Sequence, residues 1–245
     1  MSRGCRPASP ILVYDSCSST MDQLGHLHMQ GSVRDWTAVL AVEQSAGKGQ
    51  KGRIWLSPPG NLYAAWHWPF LPEPLLPLAP YIIALGVSKA LEHKGLNVLF
   101  KWPNDILVQG KKVSGILITQ AGGESIVGVG INLTWAPEDR LMQIQGSPRA
   151  TSLLEQGVST DPLHLWMDVA SRTQEVFGLS PEIILSSVEK RLAWIGQTVM
   201  IHNSNSDSAY KATLAGLAGD GALLIQRNRR RQRLYSASLA PIEDK

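Results

Sequence analysis

Cysteine is nearly absent: Cys5 and Cys17 are the only two in 245 residues. Two are too few for a disulfide scaffold, and neither sits beside other ligand-type residues, so a reducing cytoplasm is the simplest setting. HExxH, CxxC and EF-hand patterns are missing, and the six histidines are scattered along the chain. A metal held by the protein itself is therefore not expected. No Ser/His/Asp set occurs at a recognisable spacing, which argues against a protein nucleophile. Long apolar runs are missing too: none reaches about 18 residues without a charge or a proline, so no membrane span is expected. The first ten residues, MSRGCRPASP, lack the apolar middle of a signal peptide. A strong charge bias is absent. The net charge of +3 does not suggest a nucleic-acid binder.

What remains is globular in character. Apolar residues make up 44% of the chain and charged residues 18%, enough for a sizeable core. The length suits one large domain plus a small one.

The densest stretch is 43–66, EQSAGKGQKGRIWLSPPGNLYAAW. An apolar run from Trp36 to Val42 leads into it, and a second from Leu62 to Trp68 leads out. Glycines at 47, 49 and 52 let backbone N–H groups approach a ligand, and Lys48, Lys51 and Arg53 add positive charge. The pattern G-x-G-x-x-G at 47–52 is also the dinucleotide fingerprint. That fingerprint needs a helix to open at the glycines, and Pro58-Pro59 would break one here. The loop is expected to join two strands.

Elsewhere, Ile11–Tyr14 reads as a strand, with 15–20 as a polar turn. Ser19 or Thr20 caps a helix over roughly 20–30. Residues 70–80 hold Pro72, Pro74, Pro77 and Pro80 and read as a loop, followed by an amphipathic helix over 79–93. Asn97–Lys101 is a strand. Gln109–Lys112 turns a hairpin between strands 106–108 and 113–120. Gly122-Gly123 turns into a strand over 125–133, where Gly128 and Gly130 imply close approach of another backbone or a ligand. Residues 134–162 read as loop, with one helical piece near 152–156. Helices are expected over 163–177 and 181–192. Short strands follow at 198–202, 210–218, 222–226 and 233–238, with turns at 203–207, 219–221 and 228–231. They suggest a small β-barrel.

Three segments, 43–63, 101–117 and 128–132, share glycines, a cation and amides. An anionic, partly apolar substrate would suit them. Lys48, Arg53 and Lys112 offer cations, and Trp55, Tyr63 and Trp102 offer apolar walls. Chemistry by positioning and charge stabilisation fits this inventory.

The motifs in these segments resemble those of biotin protein ligases. That family carries a G-R-G-R-x-G-R loop, a K-W-P-N-D segment followed by K-x-x-G-I-L, and a G-x-G-x-N strand. Here they read Gly47–Arg53, Lys101–Asp105 with Lys112–Leu117, and Gly128–Asn132, in the same order over about residues 11–135. Gly219–Leu224 is similar to the family's small C-terminal barrel. The resemblance implies an α+β fold: a class II aminoacyl-tRNA synthetase/biotin synthetase-like catalytic domain over 1–190, and an SH3-like β-barrel over 191–245. It implies two steps. Biotin and Mg2+-bound ATP form biotinyl-5′-AMP, which then acylates a lysine of a biotin carboxyl carrier protein or domain, as in acetyl-CoA carboxylase. No nucleic acid or membrane partner is implied.

By the same resemblance, Lys112 and Arg53 are the catalytic cations. Ser19, Thr20, Gln44, Gly47, Lys48, Tyr63, Lys112 and Gly115 match biotin-binding positions. Lys48, Gln50, Arg53, Trp55, Asn104 and Asn132 match positions near ATP or the adenylate. Asp105 has two readings, orienting the loop or acting near the metal, and Trp102 reads equally as core or site. The chain departs from the family at Lys48 and Gln50, where arginine is usual. Lysine keeps the charge without the bidentate fork, and glutamine keeps no charge, so weaker retention of the adenylate is expected. About ten residues precede the first strand, leaving no room for a helix-turn-helix repressor domain, so a monofunctional ligase is expected.

Two other readings compete. A lipoate or octanoate ligase shares fold and chemistry, although K-W-P-N-D points to biotin. A non-catalytic biotin-binding protein would bind without releasing pyrophosphate. The arginines at 227, 229, 230, 231 and 233 read as a solvated turn, with docking of an acidic carrier surface or a nucleic acid as alternatives.

Overall fold

The computed structural model describes residues 10–69, 71–73, 75–121, 124–144, 148–203 and 208–242. The leader at 1–9 and the turn at Gly122-Gly123 lie outside them, as does most of the turn at 203–207. The strands are β1 Ile11–Cys17, β2 Ala38–Gln44, β3 Leu62–Trp68, β4 Val98–Lys101, β5 Asp105–Val108, β6 Lys111–Ala121 and β7 Glu124–Ile131. After them come β8 Thr198–Asn203, β9 Ala209–Leu217, β10 Leu223–Arg227, β11 Arg230–Leu234 and β12 Ala237–Pro241. The helices are α1 Thr20–Met29, α2 Ala79–Glu92, α3 Asp139–Ile144, α4 Pro162–Phe177 and α5 Pro181–Glu189. No described helix is long and apolar enough to cross a membrane.

Backbone contacts divide the chain into two units, Met1–Leu71 with Leu117–Ile131, and Pro72–Ile116 with Asn132–Lys245. In the first, strand order is β1-β2-β3-β7, followed by the C-terminal part of β6. β1 and β2 are parallel, which requires the crossover that α1 supplies. β3 lies antiparallel to both β2 and β7. α1 turns Met21 and Leu24 towards Val39 and Ala65, and Tyr14, Leu27, Val33, Leu117 and Ile126 pack around them. β1 outruns the expected strand because Ser16 and Cys17 pair with Glu43 and Gln44. The polar residues 15–17 thus finish a strand rather than form a turn.

In the second unit the order is β6-β5-β4, all antiparallel. α2 is buried on nearly all sides, as its apolar sequence demands. α4 lies so close to it that a Cβ on Gly86 would stand 1.9 Å from Thr173 Oγ1. α4 is capped by Asp161, whose carboxylate accepts from the N–H groups of Leu163 and His164. Residues 134–162 differ from expectation. Among the described residues the helix there is α3, and Ser152–Gly157 forms hydrogen-bonded turns instead.

The C-terminal strands form one five-stranded antiparallel sheet, ordered β11-β10-β9-β8-β12. The expected barrel is corrected in two ways. The stretch from 228 to 238 holds two strands, because Arg230–Leu234 pairs along β10 as β11, leaving Asn228 and Arg229 at the turn with positive φ. Among the described residues the edge strands β11 and β12 do not pair with each other, so the ladder stays open. Yet Tyr235 and Ser236 alone join these opposite edges. Three Cα steps span at most about 11 Å, whereas the edges of a flat five-stranded sheet stand roughly 19 Å apart. The sheet must therefore curl strongly.

Candidate active site

In the first unit, β2 ends at Gln44 and the chain folds back on itself before β3. Gln44 pairs with Ser57, and Lys48 with Ile54. Gly49 donates to the Arg53 carbonyl at 2.8 Å, and Trp55 to that of Gly47 at 2.9 Å. The loop is a hairpin tipped by one 3-10 turn at Gln50–Gly52, with Lys51 and Gly52 both at positive φ. No helix opens at the glycines, consistent with rejecting the dinucleotide reading.

Gln44 organises this end of the sheet. Its Oε1 accepts from the Thr20 N–H at 2.8 Å and the Thr20 hydroxyl at 3.1 Å, and its Nε2 donates to Ser57 Oγ at 2.8 Å. Ser57 then donates to the Trp55 carbonyl at 2.9 Å. Ser57 closes the circuit, and no motif in the sequence marked it. Ser19 is the N-cap residue of α1, but its side chain makes no capping bond. Gly47 is required by space, since a Cβ there would stand 2.3 Å from the Trp55 carbonyl oxygen and 2.6 Å from Ser57 Oγ. Tyr63 is buried opposite Gly130 and donates to the Pro58 carbonyl at 2.6 Å. Burial pushes its phenol pKa well up, so it stays a donor.

At Gly128 and Gly130 the nearest approach comes from side chains, with the Leu117 carbonyl also 3.5 Å from a Cβ on Gly128. Met21 Sδ would stand 2.6 Å from a Cβ on Gly128, and the Trp55 indole 2.4 Å from one on Gly130. Trp55 thus lies flat on β7. Lys48 forms an ion pair with Asp22 of α1, a partner the sequence did not suggest.

The second unit explains K-W-P-N-D. Lys101 closes β4 and Asp105 opens β5, and the two are register partners. Trp102, Pro103 and Asn104 form the turn between them, with a cis Trp102–Pro103 peptide. Trp102 is core: it is 3% exposed, and its indole N–H donates to Tyr81 Oη at 3.1 Å. Tyr81 in turn donates to the Gly221 carbonyl at 2.5 Å. Asn104 exchanges bonds with Ile116: its Nδ2 donates to the Ile116 carbonyl at 2.9 Å, and its own carbonyl accepts the Ile116 N–H at 3.0 Å.

Asp105 is buried and accepts from two lysines, Lys101 Nζ at 2.9 Å and Lys112 Nζ at 2.7 Å. Burial by itself would raise its pKa. The charges of Lys112 and Lys101 outweigh that and hold it at about 2. A β-bulge makes the contact possible. Ile106 pairs with Ser114, but Leu107 pairs with Lys112, skipping Val113. In an unbroken ladder Leu107 would face Val113, and Lys112 would point to the opposite side from Asp105. Gly115 sits directly across from Asp105. Asn132 is buried, donating through Nδ2 to the Thr151 carbonyl at 3.0 Å and through its N–H to Val113 at 2.8 Å. Arg149 and Thr151 bond the backbone of Lys112 on both sides, at 2.7 and 2.9 Å.

Comparison with known proteins agrees with this organisation. Residues 13–135 match the model of the biotin/lipoate A/B protein ligase family. The biotin–[acetyl-CoA-carboxylase] ligase of Paracoccus denitrificans is 30% identical over 218 residues, covering 82% of this chain and 88% of that protein. The bifunctional ligase/repressor BirA of Bacillus subtilis (strain 168) is 27% identical over 243 residues, covering 93% of this chain and 73% of that protein. Among solved structures, a biotin protein ligase from Aquifex aeolicus in complex with biotin and ATP superposes with a TM-score of 0.80 at 29% identity, covering 95% of this chain and 99% of that one. One from Leishmania major in complex with biotinyl-5-AMP gives 0.70 at 26% identity, covering 94% and 99%. The chain belongs to the biotin/lipoate A/B protein ligase family.

Proposed function

We propose that this protein is a biotin–[acetyl-CoA-carboxylase] ligase. An oxygen of the biotin carboxylate attacks the α-phosphorus of ATP, and the bond to pyrophosphate breaks. The ε-amine of a carrier lysine then attacks the acyl carbon of biotinyl-5′-AMP, an amide forms, and AMP leaves. Mg2+ enters with ATP as part of the substrate. The acceptor we assign is the lysine of a biotin carboxyl carrier protein or domain, and the setting is the cytoplasm, where both ATP and such carriers are at hand.

The observation that carries this reading is the double ion pair at Asp105. It holds Lys112 Nζ on a rigid strand, 11% exposed, as a pre-oriented cation. The first step brings two anions together, and a fixed cation lowers that cost without reorganising in the transition state. We assign Lys112 to the biotin carboxylate and α-phosphate, and Asp105 to positioning Lys112. This favours the orienting role over a place beside the metal. Arg53, Lys48, Gln50, Trp55, Asn104 and Asn132 are assigned to the nucleotide. Ser19, Thr20, Gln44, Gly47, Lys48, Tyr63 and Gly115 are assigned to biotin. Residues 1–190 are taken as the catalytic domain and 191–245 as a separate small one, supported by the pairing of β8 to β12 with one another.

Biotin-dependent exchange of pyrophosphate into ATP tests the first step, with octanoate and lipoate as controls. Exchange with biotin alone is expected. Exchange with octanoate or lipoate instead would move the chain to the other branch of the family, and biotin binding without exchange would make it a non-catalytic binder. Transfer to a carrier domain tests the second step.

A further inference from the structure

Three ligating side chains with no part in the proposed reaction meet in the first unit. His28 lies in the last turn of α1, His67 in β3, and Glu124 opens β7. One donor atom from each lies within 4.8 Å of the others. Glu124 Oε2 is 2.8 Å from His28 Nε2 and 3.0 Å from His67 Nε2. The two imidazole rings stack with centroids 5.0 Å apart.

Hydrogen bonds leave this cluster unsatisfied. If both Nε2 atoms donate to the one carboxylate oxygen, neutral His67 carries its proton there and Nδ1 is a bare acceptor. That Nδ1 is buried and has no hydrogen-bond partner. The charge facing it is Asp35 Oδ1 at 3.9 Å, which has no proton to give. A buried acceptor facing a carboxylate is unfavourable. A metal ion at the Nε2 side relieves it. The ring proton moves to Nδ1 and points at Asp35, the second carboxylate that commonly orients a metal-bound histidine.

We propose that His28, His67 and Glu124 form a binding site for a divalent transition-metal ion of the zinc type, with Asp35 orienting His67. Two imidazole nitrogens and one carboxylate oxygen are a zinc donor set, with a fourth position for water. Mg2+ prefers all-oxygen shells, so the ion that accompanies ATP does not compete. Bonds of about 2.0–2.2 Å place tetrahedral donors roughly 3.3 Å apart, so the two histidine nitrogens move slightly away from Glu124 Oε2 on binding. His28 is 36% exposed and free to make that adjustment. The ion ties the end of α1 to β3 and β7. Thr20 starts the same helix, roughly 12 Å away at the helical rise per residue, so the metal braces the helix that presents Thr20 without entering the reaction.

The test uses the full chain, stripped with EDTA and dialysed. It is titrated with Zn2+ against a chromophoric chelator, and with Co2+ by visible absorption. About one equivalent should bind at micromolar affinity or tighter, Co2+ should give the intense bands of a four-coordinate site, and Zn2+ should raise Tm. His28→Ala and Glu124→Ala, made separately, should each abolish these effects, while pyrophosphate exchange without Zn2+ persists in His28→Ala. Both residues are partly exposed, and cooperative melting in EDTA checks that the variants fold. Failure of the parent protein to bind, or retention of tight binding by either variant, overturns the proposal. The first outcome would mean that protons fill the cluster, and the second that zinc sits elsewhere.

Discussion

The indole of Trp55 occupies the space that a Cβ on Gly130 would need: its Cε2 lies 2.4 Å, and its Nε1 2.6 Å, from that position. A residue from the glycine-rich loop is thus seated on the backbone of β7, and the G-x-G-x-N strand is glycine at 130 to receive it. Gly130→Ala should force the ring away. Overpacking of this kind costs about 1–3 kcal/mol. Urea unfolding would read the loss, and Trp55→Leu in the same chain should recover part of it, as residues in direct contact are coupled. A Gly130→Ala protein as stable as the parent would show that the two do not compete for space.

Lys112→Met removes the charge while keeping the length. Biotin-dependent pyrophosphate exchange should fall by about 10²–10³-fold, the usual loss for a transition-state charge partner, with biotin affinity changed far less. Near-normal exchange in this variant would remove Lys112 from the chemistry.

Asp105 makes stability depend on acid. Its folded pKa of about 2 lies below its ordinary value of 3.8, so the unfolded chain takes up the proton first. The stabilisation is fully present above about pH 5 and fades as pH falls towards 2, on the order of 2 kcal/mol in all. Urea midpoints between pH 2 and 6 would trace it. Asp105→Asn should flatten that dependence and lower stability at neutral pH, since the buried Lys101 and partly buried Lys112 ammonium groups lose their counter-charge.

Gln50 stands where the family's loop carries arginine, and Lys48 is engaged with Asp22. On the proposed assignment of position 50 to the nucleotide, Gln50→Arg should place a cation near the adenylate and slow its release about tenfold, equivalent to about 1.4 kcal/mol. A chase of preformed biotinyl-5′-AMP measures this. Unchanged release would mean that the loop's charge does not govern retention.

Tyr81 links the K-W-P-N-D turn to the turn before β10, accepting from Trp102 and donating to Gly221. Tyr81→Phe keeps the ring and deletes both bonds, leaving a buried carbonyl and a buried indole N–H unpaired. A loss of about 1–3 kcal/mol in thermal or urea unfolding is expected. A neutral effect would mean that water replaces the hydroxyl.

The sequence by itself determined the parts. Glycines at 47, 49 and 52 with Pro58-Pro59 specify a strand-to-strand loop and exclude a dinucleotide helix. K-W-P-N-D and the G-x-G-x-N strand identify the family, apolar spacing locates α2, and the hydroxyl residues at 19–20 mark the start of α1. These signals are local: a turn residue or a helical period acts within a few positions of itself. The tertiary structure decided the partnerships. One skipped residue, Val113, puts Lys112 on the face of Asp105, and a ladder register cannot be read from either strand alone. Ser57 joins Gln44, and Trp55 takes the space over Gly130, through contacts that only the folded chain makes. Arg230–Arg233 looks like a solvated turn until β10 supplies its hydrogen bonds. His28, His67 and Glu124 stand 39 and 57 positions apart, which is why scattered histidines gave no hint of a metal. Hydrogen bonds and ligand sets form between atoms about 3 Å apart in space, and separation along the chain carries no record of that distance.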